Sequence, residues 1–405
     1  MTFAEPLPAG LQLTYFDKGF RENPYPALAR LRARAPISYN PVLKSFLFTR
    51  HDDVMRILRN RDLWSDPRKA NPGTFSAEVL NFSDEGPSML LMDDPDHRRL
   101  RGLVKRSFTP RAIEGWRPRV RGVAERLVSR IKPGEFEVME QLADPLPTMV
   151  IAEMLGVDAG MHDQFKRWSS ASAAVAFTTL KDPADEVLAD QAQESLDEFF
   201  RAEIERRRLQ PGDDLISHLV TASREDDQLS EDEIISTCNL LLLAGNLTTT
   251  DLVGNGVKAF LDHPAEAAKL RNRPELMVNA VEELLRYDSP ITNSGRIAHE
   301  DMEIGGVEIG RGETLGVSLA AANRDPSIYP DPDCFQVERE DTHHQAFGGG
   351  RHICLGAHLA RMEAQEAFRA LLARFPEIEF GSGGHEYAAN ESFRGFKEFW
   401  VKAGA

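Results

Sequence analysis

The chain contains few cysteines, and they lie far apart. Cys238, Cys334 and Cys354 are the only cysteines in 405 residues, and no CxxC pair is present. This spacing argues against a disulfide framework and against a zinc site built from paired cysteines. Such usage is typical of a reducing compartment, so we expect a cytoplasmic protein.

Long apolar segments and a positive net charge are also missing. The longest strongly apolar run, LLLLAG at 240–245, is far shorter than the about 20 residues that a membrane-spanning helix needs. The N-terminal segment has neither a basic start nor an apolar run, so we expect no signal peptide and no membrane anchor. A net charge of −16 argues against a nucleic-acid partner.

Internal repeats, low-complexity tracts and Ser/Gly-rich linkers are absent as well. The hydrophobic content of 41% is that of a globular protein. We therefore expect a single domain over residues 1–405.

What the sequence does contain is helical periodicity. Most long segments space their apolar residues three and four positions apart. One helix has an explicit start, because Ser230 and Glu233 form a capping box. Strand-like pieces are short and cluster at 37–49 and 296–321, where Gly-rich turns indicate hairpins. These features predict a mainly α fold with small β-sheets, with helices at about 97–130, 143–156, 188–208, 231–262, 274–287 and 355–375.

The most informative segment is FGGGRHICLG at 347–356. A glycine-rich turn delivers Cys354 to the start of a helix, beside Arg351 and His352, and the helix dipole and these neighbours favour a thiolate. The glycines let the backbone come close to a flat group. A thiolate held in this way is suited to be a proximal ligand of haem iron. The competing interpretation is a buried cysteine after a flexible loop.

This segment resembles the haem-binding loop of the cytochrome P450 superfamily, and further family motifs follow in the family's order over nearly the whole chain. The resemblance implies a helical prism that encloses haem b, with Cys354 as the iron ligand. It also implies that the least periodic segments, 66–91 and 157–187, form a mobile lid over the substrate pocket; ordinary surface loops are the alternative. The matching loop positions are Phe347, Gly350, His352, Cys354 and Gly356.

The second motif is AGNLTTTD, in the middle of the helix that starts after Ser230. A threonine hydroxyl can hydrogen-bond to the carbonyl one turn back and loosen the helix locally. In the family this place is the oxygen-binding groove, and the resemblance assigns the proton-donating hydroxyl to Thr248. The family's acid position holds Leu247, which cannot relay a proton. Asp251, about one turn beyond Thr248, is the candidate acid; alternatively, the enzyme does not need the usual two-proton chemistry.

The third motif is an ExxR pair. Glu283 and Arg286 share a helix face at i, i+3 and can form an ion pair. Such a pair is weak evidence by itself, because surface ion pairs of this spacing are common. In the family, the pair and an arginine of the following meander, such as Arg324 here, lock the core behind the haem.

Four side chains match the family's haem-carboxylate positions. A helix that starts at a proline places His97 and Arg101 on one face. Arg296 and His352 occupy the other two positions by resemblance, and carboxylates need such charge-assisted donors. Each of them alone is more typical of a surface charge. The candidates for the pocket wall are Ala244, Leu247, Ile291 and Thr292.

The resemblance implies a monooxygenase that inserts one atom of dioxygen into a C–H or C=C bond of a small apolar substrate. No GxGxxG fingerprint follows a predicted strand, so electrons must come from separate proteins. By analogy, these are a ferredoxin and a nicotinamide-dependent flavoprotein reductase. The segment 98–130 carries eleven arginines and lysines against two glutamates, and it is either a ferredoxin-docking patch or a solvated helical face. We expect a monomer.

Two alternatives stay open. The first is another haem-thiolate activity, a nitric oxide reductase or a peroxide-driven enzyme, because AGN followed by an apolar residue and threonine resembles the groove of nitric oxide-reducing relatives. The second is a non-catalytic haem sensor, which would bind haem without substrate-dependent turnover.

Overall fold

The computed structural model describes residues 7–79, 88–175, 182–226, 229–390 and 392–404. By their internal contacts, the residues separate into two compact units. The expectation of one domain over residues 1–405 stays a prediction. The first unit consists of Met1–Pro87, Asn279–Cys354 and Tyr387–Phe396, and the second consists of Ser88–Val278, Leu355–Glu386 and Lys397–Ala405.

Helices dominate the described residues, as the sequence predicts. The longest predicted helix, 97–130, is instead three shorter ones, because Thr109 caps a new helix by accepting from the Ala112 N–H at 3.3 Å and Gly115 ends it. The α-helices are α1 Lys18–Glu22, α2 Tyr25–Arg34, α3 His51–Arg59, α4 Phe75–Val79, α5 Asp96–Val104, α6 Pro110–Glu114, α7 Arg117–Arg130, α8 Pro145–Leu155, α9 His162–Val175, α10 Pro183–Leu209, α11 Leu215–Asp226, α12 Glu231–Asp262, α13 Pro264–Asn272, α14 Met277–Tyr287, α15 Leu319–Ala322 and α16 Ala357–Arg374.

The strands are short and mostly lie where the sequence predicts them. The bounds are β1 Ile37–Asn40, β2 Ser45–Phe48, β3 Gly134–Glu137, β4 Asn293–Ile297, β5 Met302–Ile304, β6 Val307–Ile309, β7 Thr314–Ser318, β8 Ile378–Tyr387 and β9 Phe396–Ala403.

The first unit is built around a four-stranded sheet of order β1-β2-β7-β4. β2 pairs with β7 in parallel, and the other two pairings are antiparallel. The predicted hairpin turn between β5 and β6 is made by Gly305 and Gly306, whose φ angles of +60° and +80° suit a two-residue hairpin loop. A core of hydrophobic side chains, with Phe48 and Leu315 fully buried, packs between the sheet and α3.

The second unit is organised around α12, which packs against α8, α9, α10 and α16. Its predicted capping box is confirmed: Ser230 Oγ accepts from the Glu233 N–H at 3.1 Å, and the Glu233 carboxylate accepts from the Ser230 N–H at 2.9 Å. The crossing of α12 and α16 is close at Gly256, where a Cβ would lie only 2.2 Å from the Phe368 ring. A second sheet, of order β3-β9-β8, completes this unit.

The segments predicted as a lid are more regular than their sequence suggests. Residues 162–175 form helix α9, although 157–187 lacks clear periodicity. Residues 80–87 and 176–181, which belong to the two predicted lid segments, lie outside the described residues. The lid itself stays a prediction.

The ExxR pair is buried, and the prediction of its third member is wrong. Arg286 donates to Glu283 through Nε at 2.7 Å and Nη2 at 2.8 Å. The second arginine on this carboxylate is Arg339, whose Nε lies 3.1 and 3.0 Å from its two oxygens. Arg324 instead donates to the Tyr287 carbonyl and lies over the rings of Tyr25 and Tyr287.

In the described part of the chain, no helix is long and apolar enough to cross a membrane.

Candidate functional site

The cysteine loop ends the central segment of the first unit. The Cys354 N–H donates to the Phe347 carbonyl at 2.9 Å, and the Gly348 N–H donates to the Gln345 carbonyl at 2.8 Å, so the loop is tightly turned. Helix α16 begins shortly after it, at Ala357. Cys354 is exposed, whereas Cys238 is buried. The interpretation of Cys354 as a buried structural cysteine is therefore wrong.

The glycines of the loop are required by the end of α3. Gly350 has a φ of +68°, and a Cβ there would lie 2.2 Å from the Leu58 carbonyl oxygen. At Gly349 a Cβ would lie 3.3 Å from the Leu58 Cβ. The sequence predicts that these glycines let the backbone come close to a flat group. At both positions, the atoms that a Cβ would meet are instead atoms of the protein itself.

Arg296 lies against the same loop. It is buried on β4, and its Nη2 lies 3.3 Å from the Gly349 carbonyl and 3.4 Å from the Leu58 carbonyl. Its Nη1 donates to the Gly295 carbonyl at 2.7 Å. His352 is half-buried at the end of the 3-10 turn Gly350–His352. The first unit therefore brings together Cys354, Phe347, Gly350, His352 and Arg296, all of which the sequence singles out.

The threonines of the AGNLTTTD motif lie on α12, in the second unit. Thr248 Oγ1 donates to the Ala244 carbonyl at 3.0 Å, the bond to the preceding turn that the sequence predicts. The helix nevertheless stays continuous from Glu231 to Asp262, so no local loosening results. Thr250 donates to the side-chain oxygen of Asn246 at 3.2 Å, and Asn246 donates to Ser169 of α9 at 2.8 Å.

Two acidic side chains are buried near this motif. Burial raises the pKa of Asp251 well above its ordinary value, which favours its protonated form. Glu363, on α16, is 2% exposed. Burial raises its pKa to about 8, and a hydrogen bond from the Thr249 hydroxyl offsets part of that rise. Glu363 is not among the residues predicted from the sequence, although it lies one turn after Leu359 on the apolar face of a predicted helix, where a charged residue is a detectable signal.

Two of the side chains predicted to bind the haem carboxylates, His97 and Arg101, belong to the second unit and lie on α5. His97 is buried, and its Nδ1 lies 3.6 Å from a carboxylate oxygen of Asp94. Arg101 is half-buried one turn further along the helix. Their shared helix is confirmed, and their contact with haem stays a prediction.

The four predicted pocket-wall residues divide between the units. Ala244 is exposed and Leu247 half-buried on α12. Ile291 forms an isolated bridge with Phe393. The Thr292 N–H donates to the Ser392 carbonyl at 3.1 Å. Thr292 is fully buried, which leaves Ala244, Leu247 and Ile291 as the positions with accessible surface.

The donor set suits haem better than a bare metal ion. Among the residues that the structure describes, no three His, Cys, Asp or Glu side chains come together as a metal-ion site. A single exposed thiol can hold iron firmly only when the metal brings further ligands with it, as iron in a porphyrin does. Each unit carries side chains of the kind that haem carboxylates need as donors: Arg296 and His352 in the first unit, and His97 and Arg101 in the second. The residues present fit the group.

Known proteins resemble this chain over nearly its whole length. A model of the family described as Cytochrome P450 matches residues 267–384. Cytochrome P450 107B1 of Saccharopolyspora erythraea is 38% identical, over 97% of this chain and 98% of that protein. The 6-deoxyerythronolide B hydroxylase of the same organism is 39% identical, over 88% and 90%.

A solved structure is similar to this fold as well. The crystal structure of P450BioI in complex with an acyl carrier protein that bears hexadec-9Z-enoic acid matches with a TM-score of 0.85 at 34% identity, covering 95% of this chain and 100% of that chain. The predicted fold, mainly α with small sheets, is therefore confirmed. Relatives of this identity and coverage are bacterial cytochromes P450, which are haem-iron monooxygenases that incorporate oxygen into their substrates. This chain therefore belongs to the cytochrome P450 family.

Proposed function

We propose that this protein hydroxylates or epoxidises a small apolar substrate, with haem b held through the Cys354 thiolate. The observation that carries the proposal is the loop geometry: an exposed thiol on a tight turn fixed by the Phe347 carbonyl, with buried Arg296 against the loop. When bound, haem activates dioxygen, so that one oxygen atom enters a C–H or C=C bond and the other leaves as water.

The chain's own groups then have distinct tasks. Cys354 donates electron density to the iron, and the loop hydrogen bonds fix the direction of its side chain. His97, Arg101, Arg296 and His352 donate to the haem carboxylates. Phe347 and Gly350 shape the loop that presents the thiol.

Proton transfer and substrate contact belong to the α12 motif. Thr248 supplies the hydroxyl of the oxygen groove, and Asp251 holds a proton on the same helix. Leu247, at the family's acid position, contributes an apolar surface together with Ala244. In the first unit, Ile291 is proposed to contact the substrate through its accessible surface, and Thr292 to support it from its buried position.

The ligand assignment is tested by exchanging each cysteine for serine. Cys354→Ser should abolish the red-shifted absorption band of the reduced, carbon monoxide-bound protein, because a serine oxygen does not replace the thiolate. Cys334→Ser, at another exposed cysteine, and Cys238→Ser should keep the band. Retention of the band in Cys354→Ser would refute the assignment.

The substrate is proposed only as a class. One relative is a hydroxylase named for 6-deoxyerythronolide B, and another was crystallised with a fatty acyl group on its carrier protein. A fatty acyl chain is apolar, in line with the apolar groove residue Leu247. A spectral titration with terpenes, aromatic acids, steroids and fatty acids, including hexadec-9Z-enoic acid, identifies the class from displacement of the iron-bound water.

The redox partners are proposed to be a ferredoxin and its nicotinamide-dependent reductase, acting on a monomer in the cytoplasm. Of the basic segment 98–130, Lys105, Arg106 and Arg111 are exposed, while Arg98 lies 2.8 Å from the Asp94 carboxylate. A local positive patch of this kind can steer an acidic partner despite the net charge of −16.

The docking patch is tested on the rate of first-electron transfer from a plant-type ferredoxin. Arg106→Glu should lower that rate and its dependence on salt, because steering between exposed charges is screened beyond about 10 Å at 0.1 M salt. Arg271→Glu, an exposed arginine of α13, is the matched control and should leave the rate unchanged. A rate that changes neither with salt nor with Arg106→Glu would show that the ferredoxin docks elsewhere.

A second candidate function is favoured by one observation, the apolar Leu247 at the family's acid position. It is the reduction of nitric oxide with electrons taken directly from a nicotinamide cofactor. Rapid nitric oxide consumption with the nicotinamide alone, without a ferredoxin, would favour this candidate over the monooxygenase.

A further inference from the structure

His344 is a histidine with a buried side chain, ten residues before Cys354. The side chain is only 2% exposed. Its Nδ1 accepts a hydrogen bond from the Ala346 N–H at 3.1 Å. A backbone N–H is a donor, so Nδ1 carries no proton and the ring is the neutral tautomer with its proton on Nε2. That nitrogen lies 3.3 Å from Oε2 of Glu282 on α14. Both ring nitrogens therefore face groups that fix the orientation of the imidazole.

The bond to Ala346 closes a turn of a kind that asparagine and aspartate usually make, by accepting from the backbone N–H two residues further on. Asp341 closes such a turn three residues earlier, where its Oδ1 accepts from the His343 N–H at 3.0 Å. At position 344 the acceptor is an imidazole, which is longer. His344 can therefore close the turn and contact α14 at the same time, which the shorter asparagine cannot do.

This turn leads directly into the loop of the predicted iron ligand. The centroids of the His344 and Phe347 rings are 5.5 Å apart. The Phe347 carbonyl accepts the hydrogen bond from the Cys354 N–H at 2.9 Å. The imidazole thus contacts the Phe347 ring and also binds the N–H of Ala346, the residue before it. A displacement of the imidazole would displace the carbonyl that fixes the Cys354 backbone.

The segment between His344 and the loop has a second anchor. The Gln345 N–H donates to the side-chain oxygen of Asn323 at 2.6 Å, and the Asn323 amide donates to Ser289 Oγ, just after α14, at 2.8 Å. Two successive backbone N–H groups, at 345 and 346, are thus bound by side chains. These groups all belong to the first unit, as does Glu282. Asn323 holds the first of the two peptides, and His344 holds the second.

We propose that His344 is a positioning residue for the iron ligand: its imidazole, held between the Ala346 N–H and Glu282, fixes the Phe347 carbonyl and through it Cys354. The inference rests on the function proposed above, with Cys354 as the ligand of haem iron. A thiolate that is held firmly donates more charge to the iron, which stabilises the oxidised state and lowers the reduction potential. His344 therefore sets how readily the protein accepts its first electron.

The test measures the reduction potential of the haem-loaded protein and the absorption band of its reduced, carbon monoxide-bound form. Neither measurement needs a substrate or turnover. His344→Ala removes the contacts of the ring, and we expect the ratio of oxidised to reduced protein at a fixed potential to fall about tenfold, the effect of one buried hydrogen bond. For a one-electron couple, this is a rise of about 59 mV in the potential. The thiolate-type band should lose intensity.

Two conservative variants separate the contacts of the ring. His344→Asn keeps an acceptor at the place of Nδ1 and can close the same turn, so it should recover most of the lost ratio. His344→Gln places its amide at the position of Nε2, nearer to Glu282, and should not recover it. The matched control is His343→Ala, because His343 adjoins His344 but pairs with Asp341 on the surface, with its side chain 96% exposed. This control should leave the potential unchanged.

A further readout reports on the ring itself. In protein with 15N-labelled histidines, one imidazole signal at neutral pH should show the tautomer with its proton on Nε2 and disappear only in the His344 variants. His343→Ala should retain this signal. A signal of the opposite tautomer at His344 would overturn the proposal, because Nδ1 could not then accept from Ala346.

The other outcomes are equally decisive. An unchanged potential in His344→Ala would overturn the proposal, as would recovery by His344→Gln and not by His344→Asn. If His344→Ala does not retain haem, the comparison of these two conservative variants decides, and loss of haem from His344→Asn would also overturn the proposal, since that variant keeps the turn. Absence of the thiolate-type band from the unaltered protein, or its retention in Cys354→Ser, would instead refute the proposed function, which is a distinct failure.

Discussion

Replacing Glu283 by glutamine should be among the most destabilising single changes in the first unit. The carboxylate accepts two bonds from Arg286 and two from Arg339, and its Oε1 also accepts from the Gln336 N–H at 3.0 Å. Glu283 and Arg286 both have fully inaccessible side chains. Glutamine fits the space, but it removes the negative charge that contacts two buried guanidinium groups and turns an NH2 group toward their donors.

The expected cost follows from that geometry. Breaking a buried ion pair by removing one partner typically costs about 3–5 kcal/mol, because the remaining charge stays buried without compensation. Arg286 keeps its bonds to the Asn323 and Pro332 carbonyls at 3.1 and 2.8 Å, so the lower half of this range is expected. The matched control is Glu114→Gln, an exposed glutamate that pairs with Arg117 at 2.7 Å and whose loss should cost at most about 1 kcal/mol.

The free energy of unfolding is measured by urea denaturation, with haem retention as the second signal. Arg339→Lys should be strongly destabilising as well, because one ammonium group cannot replace both the Nε–H that bonds the carboxylate and the Nη groups that donate to the Pro330 and Cys334 carbonyls at 2.7 and 2.9 Å. A cost for Glu283→Gln no larger than that for Glu114→Gln would refute the reasoning. A normal stability of Arg339→Lys would show that Arg339 is not part of the buried cluster.

Three further predictions concern stability. Gly256→Ala should lower the free energy of unfolding by about 1–3 kcal/mol through overpacking, because the new Cβ meets the Phe368 ring at 2.2 Å. Phe368→Leu in the same chain should recover part of this loss. Gly102→Ala is the control, since its Cβ meets nothing within 4 Å and should cost no stability. Gly350→Ala should prevent haem retention, because its φ of +68° and the Leu58 carbonyl at 2.2 Å both exclude a side chain. The unfolded chain releases the Glu363 proton near pH 4.5, whereas the folded protein holds it to about pH 8. Relative to Glu363→Gln, the stability of the unaltered protein should therefore fall as the pH rises from 4.5 to 8 and level off above pH 8. Parallel pH profiles of the two melting temperatures would contradict this.

Much of the fold could be predicted from local sequence. The bounds of α12 follow from the capping box at Ser230 and the proline after His263, and both act within one helical turn. The hairpin turn at Gly305 and Gly306 is equally local. The cysteine loop was found in the same way, because its glycines and Cys354 lie within ten residues of one another.

The two errors have different causes. The break in the helix predicted over 97–130 is local, because Thr109 caps a separate helix that begins at Pro110. The arginine that joins Glu283 could not be identified by order along the chain, because the path of residues 324–339 brings Arg339, and not Arg324, to the carboxylate.

The sequence alone determined the cysteine loop, the threonine motif and the absence of an acid at Leu247, since each is a matter of residue type at a short spacing. Only the tertiary structure decided which buried acid meets that motif. Glu363 follows Thr249 by more than a hundred residues, and the two meet because α12 and α16 pack together. A hydrogen bond of this kind depends on helix packing, and no local pattern encodes it.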